Sequence, residues 1–317
     1  VWEAFGEVQI PLVQDQPFAK LIEFSGGYRI SDYDFAGITH TYKYAGSWMP
    51  VDDVRLRGSF QHAVRAPNVI ELFTPTFQGL WGGTDPCALT SSSIPGTNFY
   101  DAAQCANTGL SGAQFLAFTG PGGGAFQCPA AQCSGPFGGS ANLKPESSDT
   151  KSFGVVFTPT FLKGFNATID YYDIDIEDQI TVISQTAIVG DCAVNNNPLT
   201  CALINRDPVT GVLSNSTTLG VGVDSLVRNS GTVNTRGVDV EANYRFDLGD
   251  AEAGTMTLGF SGTYVERAET NYGLGFDSFD CVGFFGLVCG NPVPEWKHKA
   301  RVTWSAVLFS ASAAASR

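Results

Sequence analysis

The sequence predicts an all-β protein, part of an antiparallel transmembrane β-barrel. Three observations carry this. Long stretches alternate apolar and polar residues with period two, the connections between them are alternately short and long, and all eight cysteines fall in the long ones.

Nine strands are expected, at 3–10, 21–32, 37–49, 54–64, 149–159, 165–180, 232–246, 254–268 and 296–308. Several exceed the five or six residues usual in soluble sheets. In 54–61, Val54, Leu56 and Phe60 oppose Arg55, Arg57, Ser59 and Gln61. In 232–246, Val238, Val240, Ala242, Tyr244 and Phe246 oppose Asp239, Glu241, Asn243 and Arg245. In 254–264, Met256, Leu258, Phe260 and Tyr264 oppose Thr255, Thr257, Ser261 and Thr263. In 296–304, Trp296, Ala300, Val302 and Trp304 oppose Lys297, Lys299, Arg301 and Thr303. A polar face this charged suits a wet lumen, and Trp48, Tyr264, Trp296 and Trp304 suit interfacial girdles on the apolar face. On the even faces of 232–246 and 254–264 the sole charge is Arg236, near a strand end. In 165–180 the apolar phase slips at Tyr171–Tyr172, which a bulge or exit from the membrane band would explain.

The connections 48–53, 159–164 and 247–254 are short, whereas 66–148, 182–231 and 270–295 are long. Loops of that length are uncommon in compact soluble domains and characteristic of one side of an outer-membrane barrel. Charged residues make up 15% of the chain, against roughly 25% in an average globular domain. The net charge of −13, with no basic stripe, argues against a nucleic-acid partner. No apolar run reaches the roughly 20 residues a spanning helix needs, so a membrane location requires strands.

The cysteines Cys87, Cys105, Cys128, Cys133, Cys192, Cys201, Cys281 and Cys289 are even in number and fall as close sequential pairs. Zinc ligation would favour tighter spacing with histidines nearby, but His40, His62 and His298 lie far away in sequence. Loop disulfides in an oxidising compartment are expected, with the connectivity left open. At the ends, Val1 begins inside an expected strand and 307–317 departs from the preceding pattern. Residues 1–308 are therefore assigned to a partial barrel and 309–317 to an atypical tail, read as a truncation or frameshift. Raw sheet edges predict a chain that aggregates when isolated.

Five stretches, in order, resemble the family of TonB-dependent receptors. They are Arg57-Gly-Ser-Phe-Gln-His-Ala-Val-Arg-Ala-Pro-Asn-Val-Ile-Glu-Leu-Phe73, Asn142-Leu-Lys-Pro-Glu-Ser-Ser-Asp149 with Gly154–Pro159, Asp170–Ile180, Asn234–Glu241 and Pro294–His298. The resemblance covers about 1–306. It implies a 22-stranded barrel, of which this chain would supply about nine strands, filled by an N-terminal plug and powered by the TonB complex. Plug and TonB box are not recognised here, so no gating residue is assigned. The implied function is uptake of a scarce bulky nutrient (siderophore, cobalamin or oligosaccharide) across a Gram-negative outer membrane. The alternatives are a passive porin or adhesin barrel without a plug and, more remotely, a soluble β-sandwich or propeller enzyme.

No catalytic, cofactor or metal site is expected. Asp173, Asp175, Glu177 and Asp178 could ligate Ca²⁺ but lack EF-hand spacing, so an acidic stripe is preferred. Gly122–Gly124 has no following Lys-Ser/Thr to cradle phosphate, and no G-x-S-x-G elbow marks a hydrolase. The sequons at Asn166 and Asn215 would stay bare in a bacterial barrel. Loop aromatics are the functional lead: Phe77, Trp81, Tyr100, Tyr272, Phe276, Phe279, Phe284 and Phe285 could stack on a ligand or pack the loops together. Arg65 could meet an anionic ligand or pair with Glu71, and the second is favoured.

Overall fold

The computed structural model describes residues 1–89, 99–215, 217–249, 253–286, 289–306 and 310–316. Ten strands run as an antiparallel meander: β1 (Trp2–Gln16), β2 (Ala19–Tyr33), β3 (Gly37–Val51), β4 (Val54–Arg65), β5 (Glu146–Phe157), β6 (Phe165–Glu177), β7 (Thr232–Asp247), β8 (Thr255–Asn271), β9 (Trp296–Ser305) and β10 (Ser310–Ser316). A two-residue strand, Phe279–Asp280, pairs with β8 as an eleventh. The sheet is not closed, and β1 and β10 are its edges.

Register shows that the two faces are continuous across strands. One rung joins Val54, Phe157, Ala167, Ala242, Phe260 and Ala300, and the next apolar rung joins Leu56, Val155, Ile169 and Val240. On the opposite face Arg57, Asp170, Asp239, Thr263 and Lys297 share a rung, followed by Thr168, Glu241, Ser261 and Lys299. Because side-chain period is two, a slip of one residue anywhere would exchange these faces. Several charges of the polar face neutralise one another across an intervening glycine. Lys43 reaches Glu7 at 2.9 Å over Gly27, and Arg57 holds Asp170 with bonds of 2.9 and 2.7 Å over Gly154. A Cβ on Gly154 would lie 1.9 Å from Asp170 Oδ1.

Two tryptophans mark the lower edge of the apolar band. Trp48 Nε1 donates to the Phe18 carbonyl in the β1–β2 turn, and Trp304 Nε1 to the Ala253 carbonyl before β8. Following the rungs from Trp48 across the sheet leads to His298, and Trp304 lies six residues beyond it on β9. The edge thus descends about one residue per strand. With a rise of ~3.3 Å per residue and ~4.8 Å between strands, that stagger corresponds to a tilt of roughly 35°, the lower end of barrel geometry.

Three expectations change. Residues 310–316, assigned to an atypical tail, form β10, paired with β9 from Ser305–Ser310 to Lys299–Ser316. Its alternation persists in small residues: Ala311, Ala313 and Ala315 take the apolar face, while Ser310, Ser312 and Ser316 take the polar one. Ala against Ser gives too little contrast for period two to be seen in sequence. Among the described residues the meander therefore has ten long strands rather than nine, β9 ends at Ser305, and the expectations for residues 307–309 and 317 lie outside the described residues. Finally, β6 pairs in unbroken register with both neighbours through Tyr171–Tyr172, so the phase slip there is no bulge. Beyond Tyr171 the outer positions become Asp173 and Asp175, on rungs with Lys151, Asp149, Arg236 and Asn234, as a strand rising out of the apolar band requires. The register shift lies instead on β8 at Glu266, whose carboxylate accepts from Arg236 at 2.9 Å.

Candidate ligand-binding surface

In an antiparallel meander, the connections after β4, β6 and β8 leave from the same end of the sheet. The three long loops therefore meet, and they fold together into a cap. Residues 77–82 and 132–138 pair antiparallel, and 225–226 from the next loop add in parallel. One core cluster unites Trp81, Ile183, Ile188, Val189, Leu213 and Val223 with Tyr272, Leu274 and Phe276, drawing on all three loops. A second gathers Cys87, Cys105, Leu110 and Phe118 with Phe115 and Phe126. Each fully buried large apolar side chain contributes about 1.5–3 kcal/mol, which is how connections of this length remain ordered. A third cluster, Leu72, Leu143 and Ile180, joins the cap to the sheet rim.

All eight cysteines are bridged: Cys87–Cys105, Cys128–Cys133, Cys192–Cys201 and Cys281–Cys289, with Cα separations of 5.7, 4.9, 4.8 and 5.5 Å. Local capping chemistry starts the cap's helices. Asn68 with Glu71, Asp101 with Gln104 and Ser111 with Gln114 each form a reciprocal capping box, opening Val69–Phe73, Ala102–Asn107 and Gly112–Thr119.

The first two loops are locked by a buried ion pair that the sequence does not advertise. Arg206 and Asp85 have side chains 3% and 0% exposed. Arg206 Nη1 donates to Asp85 Oδ2 at 2.6 Å and to the Gly211 carbonyl at 2.9 Å, and Nη2 donates to Asp85 Oδ1 at 3.0 Å. Its Nε donates to the carbonyl and hydroxyl of Thr108, and the Cys87 amide donates to Asp85 Oδ1. Gln127 encloses the other side, accepting from the Asp85 amide and donating to the Asp85 and Ala88 carbonyls. Such saturation is what makes a buried pair tolerable. Just after it, the Asp207 carboxylate accepts from the Val209 and Thr210 amides and the Thr210 hydroxyl. The Thr210 bonds hold it below the usual aspartate range.

The candidate ligand contacts separate by burial. Trp81 is 7% exposed, its Nε1 donates to the Ser134 carbonyl, and it packs within the cap core, as do the half-buried Tyr272 and Phe276. Tyr272 also meets Phe279, and burial pushes its hydroxyl pKa up, as it does for Tyr100. Arg65 is spanned by two carboxylates: Nε and Nη2 donate to Glu146, and Nη1 donates to Glu71 at 3.0 and 3.1 Å. Phe77, Phe284 and Phe285 instead present their rings to solvent, at 54%, 66% and 77% exposure. Asp173 and Asp175 converge on the Asn234 amide at 3.0 and 2.5 Å. On the sheet, residues of β4 and β6–β10 line an open concavity of about 970 Å³, among them Arg57, Asp239, Glu241, Lys297 and Lys299.

An apolar outer band, a charged concave face and a disulfide-tied cap at one end define a segment of an outer-membrane-type barrel wall. A family model described as TonB dependent receptor-like, beta-barrel matches residues 1–315, and the chain belongs to that family. No curated protein matches it. Among solved structures it is similar to the siderophore receptor PirA from Acinetobacter baumannii, with 14% identity, a TM-score of 0.51, and coverage of 96% of this chain and 31% of that one. It is also similar to a variant of the ferric enterobactin receptor PfeA from Pseudomonas aeruginosa, with 15% identity, a TM-score of 0.53, and coverage of 99% and 31%. For PfeA in complex with BCV-L6 the values are 14%, 0.55, 99% and 32%. The chain spans about a third of the length of these structures, and at such identities the likeness shows the fold alone.

Proposed function

We propose that the protein containing this chain is a receptor in a Gram-negative outer membrane that imports a scarce, bulky ligand: a siderophore, a cobalamin or an oligosaccharide. Membership of the TonB-dependent receptor-like barrel family over residues 1–315 carries this reading. The structure supports it physically: the apolar face suits outer-membrane lipid, and the charged face suits a wet lumen. In this reading a plug domain occupies the lumen and the TonB complex supplies the energy. The exposed rings of Phe77, Phe284 and Phe285 on the cap would make first contact with the ligand.

The test is uptake by cells carrying the complete gene, with and without a functional TonB complex. Accumulation that requires TonB is expected. Accumulation independent of TonB would instead identify a passive barrel, and a water-soluble complete protein would remove the membrane reading.

A further inference from the structure

We propose that residues 77–82 of the cap are an open docking edge for an extended peptide of a partner protein, which adds to the cap sheet as a fourth strand. This goes beyond the uptake reading and does not depend on it. In the cap sheet 132–138 is the central strand, with 77–82 antiparallel on one side and 225–226 parallel on the other. Residues 77–82 therefore form a sheet edge.

The bonds of the central strand fix which backbone groups that edge presents. The Gly83 amide donates to the Ala131 carbonyl, one step beyond the Gly82–Gln132 pair. The Ser134 amide turns the other way and donates to the Leu213 carbonyl, and the Gly138 carbonyl accepts from the Val227 amide. Residues of an antiparallel pair bond alternately toward the partner and away from it. Phe77, Gly79 and Trp81 thus bond to 132–138, while the N–H and C=O groups of Gln78, Leu80 and Gly82 point outward. Among the described residues nothing bonds to these outward groups; the contacts of Gln78 are made by its side chain. The free groups recur at intervals of roughly 7 Å and span about 14 Å. Alternating amide donors and carbonyl acceptors at that repeat are matched by polypeptide in the extended conformation, which sets the class of partner.

Exposed edges are ordinarily blunted by charge, proline or a bulge. This one has none of them. No charged residue occurs between Glu71 and Asp85, no proline lies within 77–82, and the register with 132–138 is unbroken. The edge is also held from both faces. On one, Trp81 is buried and bonds the Ser134 carbonyl, and the Phe137 ring lies where a Cβ on Gly79 would come within 2.5 Å. On the other, the Gln78 side chain donates to the Asn215 and Val221 carbonyls and accepts from the Gly220 amide. A strand fixed in advance loses little freedom when a neighbour is added. Leu80, 52% exposed, stands in the middle of the outward row and offers an apolar contact to an uncharged partner strand. The opposite edge of the same sheet is already extended in this manner by 225–226 from the second long loop.

The test measures binding of a blocked, fluorescein-labelled peptide of alternating threonine and valine to the complete purified receptor in detergent. A peptide of the same sequence N-methylated at every amide is the control. Leu80→Pro removes an outward N–H without touching the bonds to 132–138, and Leu80→Ala removes the side chain but keeps the N–H. Binding is expected to weaken about tenfold or more in Leu80→Pro, to stay within about threefold of the parent in Leu80→Ala, and to vanish for the methylated peptide. Hydrogen exchange should slow on peptide addition at 77–83. Heat-modifiable migration on gels verifies that each barrel is folded. No binding of the unmethylated peptide, unchanged exchange at 77–83, or equal losses in the two variants overturns the proposal. Dimerisation of the parent that Leu80→Pro abolishes would give the edge to a second copy and overturn it as well. TonB-dependent uptake is scored separately, so either reading can fail without the other.

Discussion

Replacing Asp85 by Ala leaves the Arg206 guanidinium buried with its bidentate carboxylate removed. Only the Thr108 and Gly211 contacts remain to it. Breaking one partner of a buried pair costs about 3–5 kcal/mol. At ~1.4 kcal/mol per decade, local opening of the cap should rise by roughly two to four decades. The loss falls on the cap and not on the sheet, because residues 85 and 206 lie in the first and second long loops. The assay is limited proteolysis or hydrogen exchange across 66–145 and 178–231 in the complete receptor, with barrel integrity followed by heat-modifiable gel migration. Asp85→Leu with Arg206→Met removes both charges and should recover much of the protection, since an apolar pair of similar volume needs no counter-charge. Cap exchange in Asp85→Ala within threefold of the parent would refute the claim that this pair locks the two loops.

Two further outcomes follow from the geometry. Gly154→Ala should break the lumen pair, because its Cβ would fall 1.9 Å from Asp170 Oδ1 and displace it from Arg57. The pair is half-solvated, so about 1 kcal/mol or less is lost from the ion pair itself, read as a lower unfolding midpoint in urea than for Gly58→Ala, where the nearest neighbour atom is at 3.6 Å. Asp207 has a depressed pKa, so its stabilising contribution is present above the ordinary aspartate value of about 4 and is lost as pH falls through the lower folded value. Protease protection of the 206–212 turn should therefore decline in strong acid, and Asp207→Asn, which keeps the accepting oxygen without the charge, should flatten that dependence.

The faces of the sheet were readable because period-two contrast is large where Val, Phe and Tyr oppose Asp, Glu and Arg, as in β7. It failed in β10, where Ala opposes Ser and only hydrogen bonding to β9 reveals a strand. The Tyr171–Tyr172 phase slip was visible, but choosing between bulge and band exit needed the register of both neighbours. The cap helices were written locally as Asn68–Glu71, Asp101–Gln104 and Ser111–Gln114, a signature that would have located them inside apparent loops. Trp81 could not be sorted from Phe77 by composition, since both are loop aromatics four residues apart. Burial distinguishes them.

The sequence by itself determined the strand faces, the asymmetry of the connections and the supply of cysteines, because each depends on residues close together along the chain. Only the tertiary structure decided that three long connections form one cap, that Asp85 meets Arg206 across 121 positions, and that Lys43 reaches Glu7 and Arg57 reaches Asp170 across an intervening strand. These depend on which strands become neighbours and in what register. Hydrogen bonding across the whole sheet sets that register, and no local stretch of residues records it.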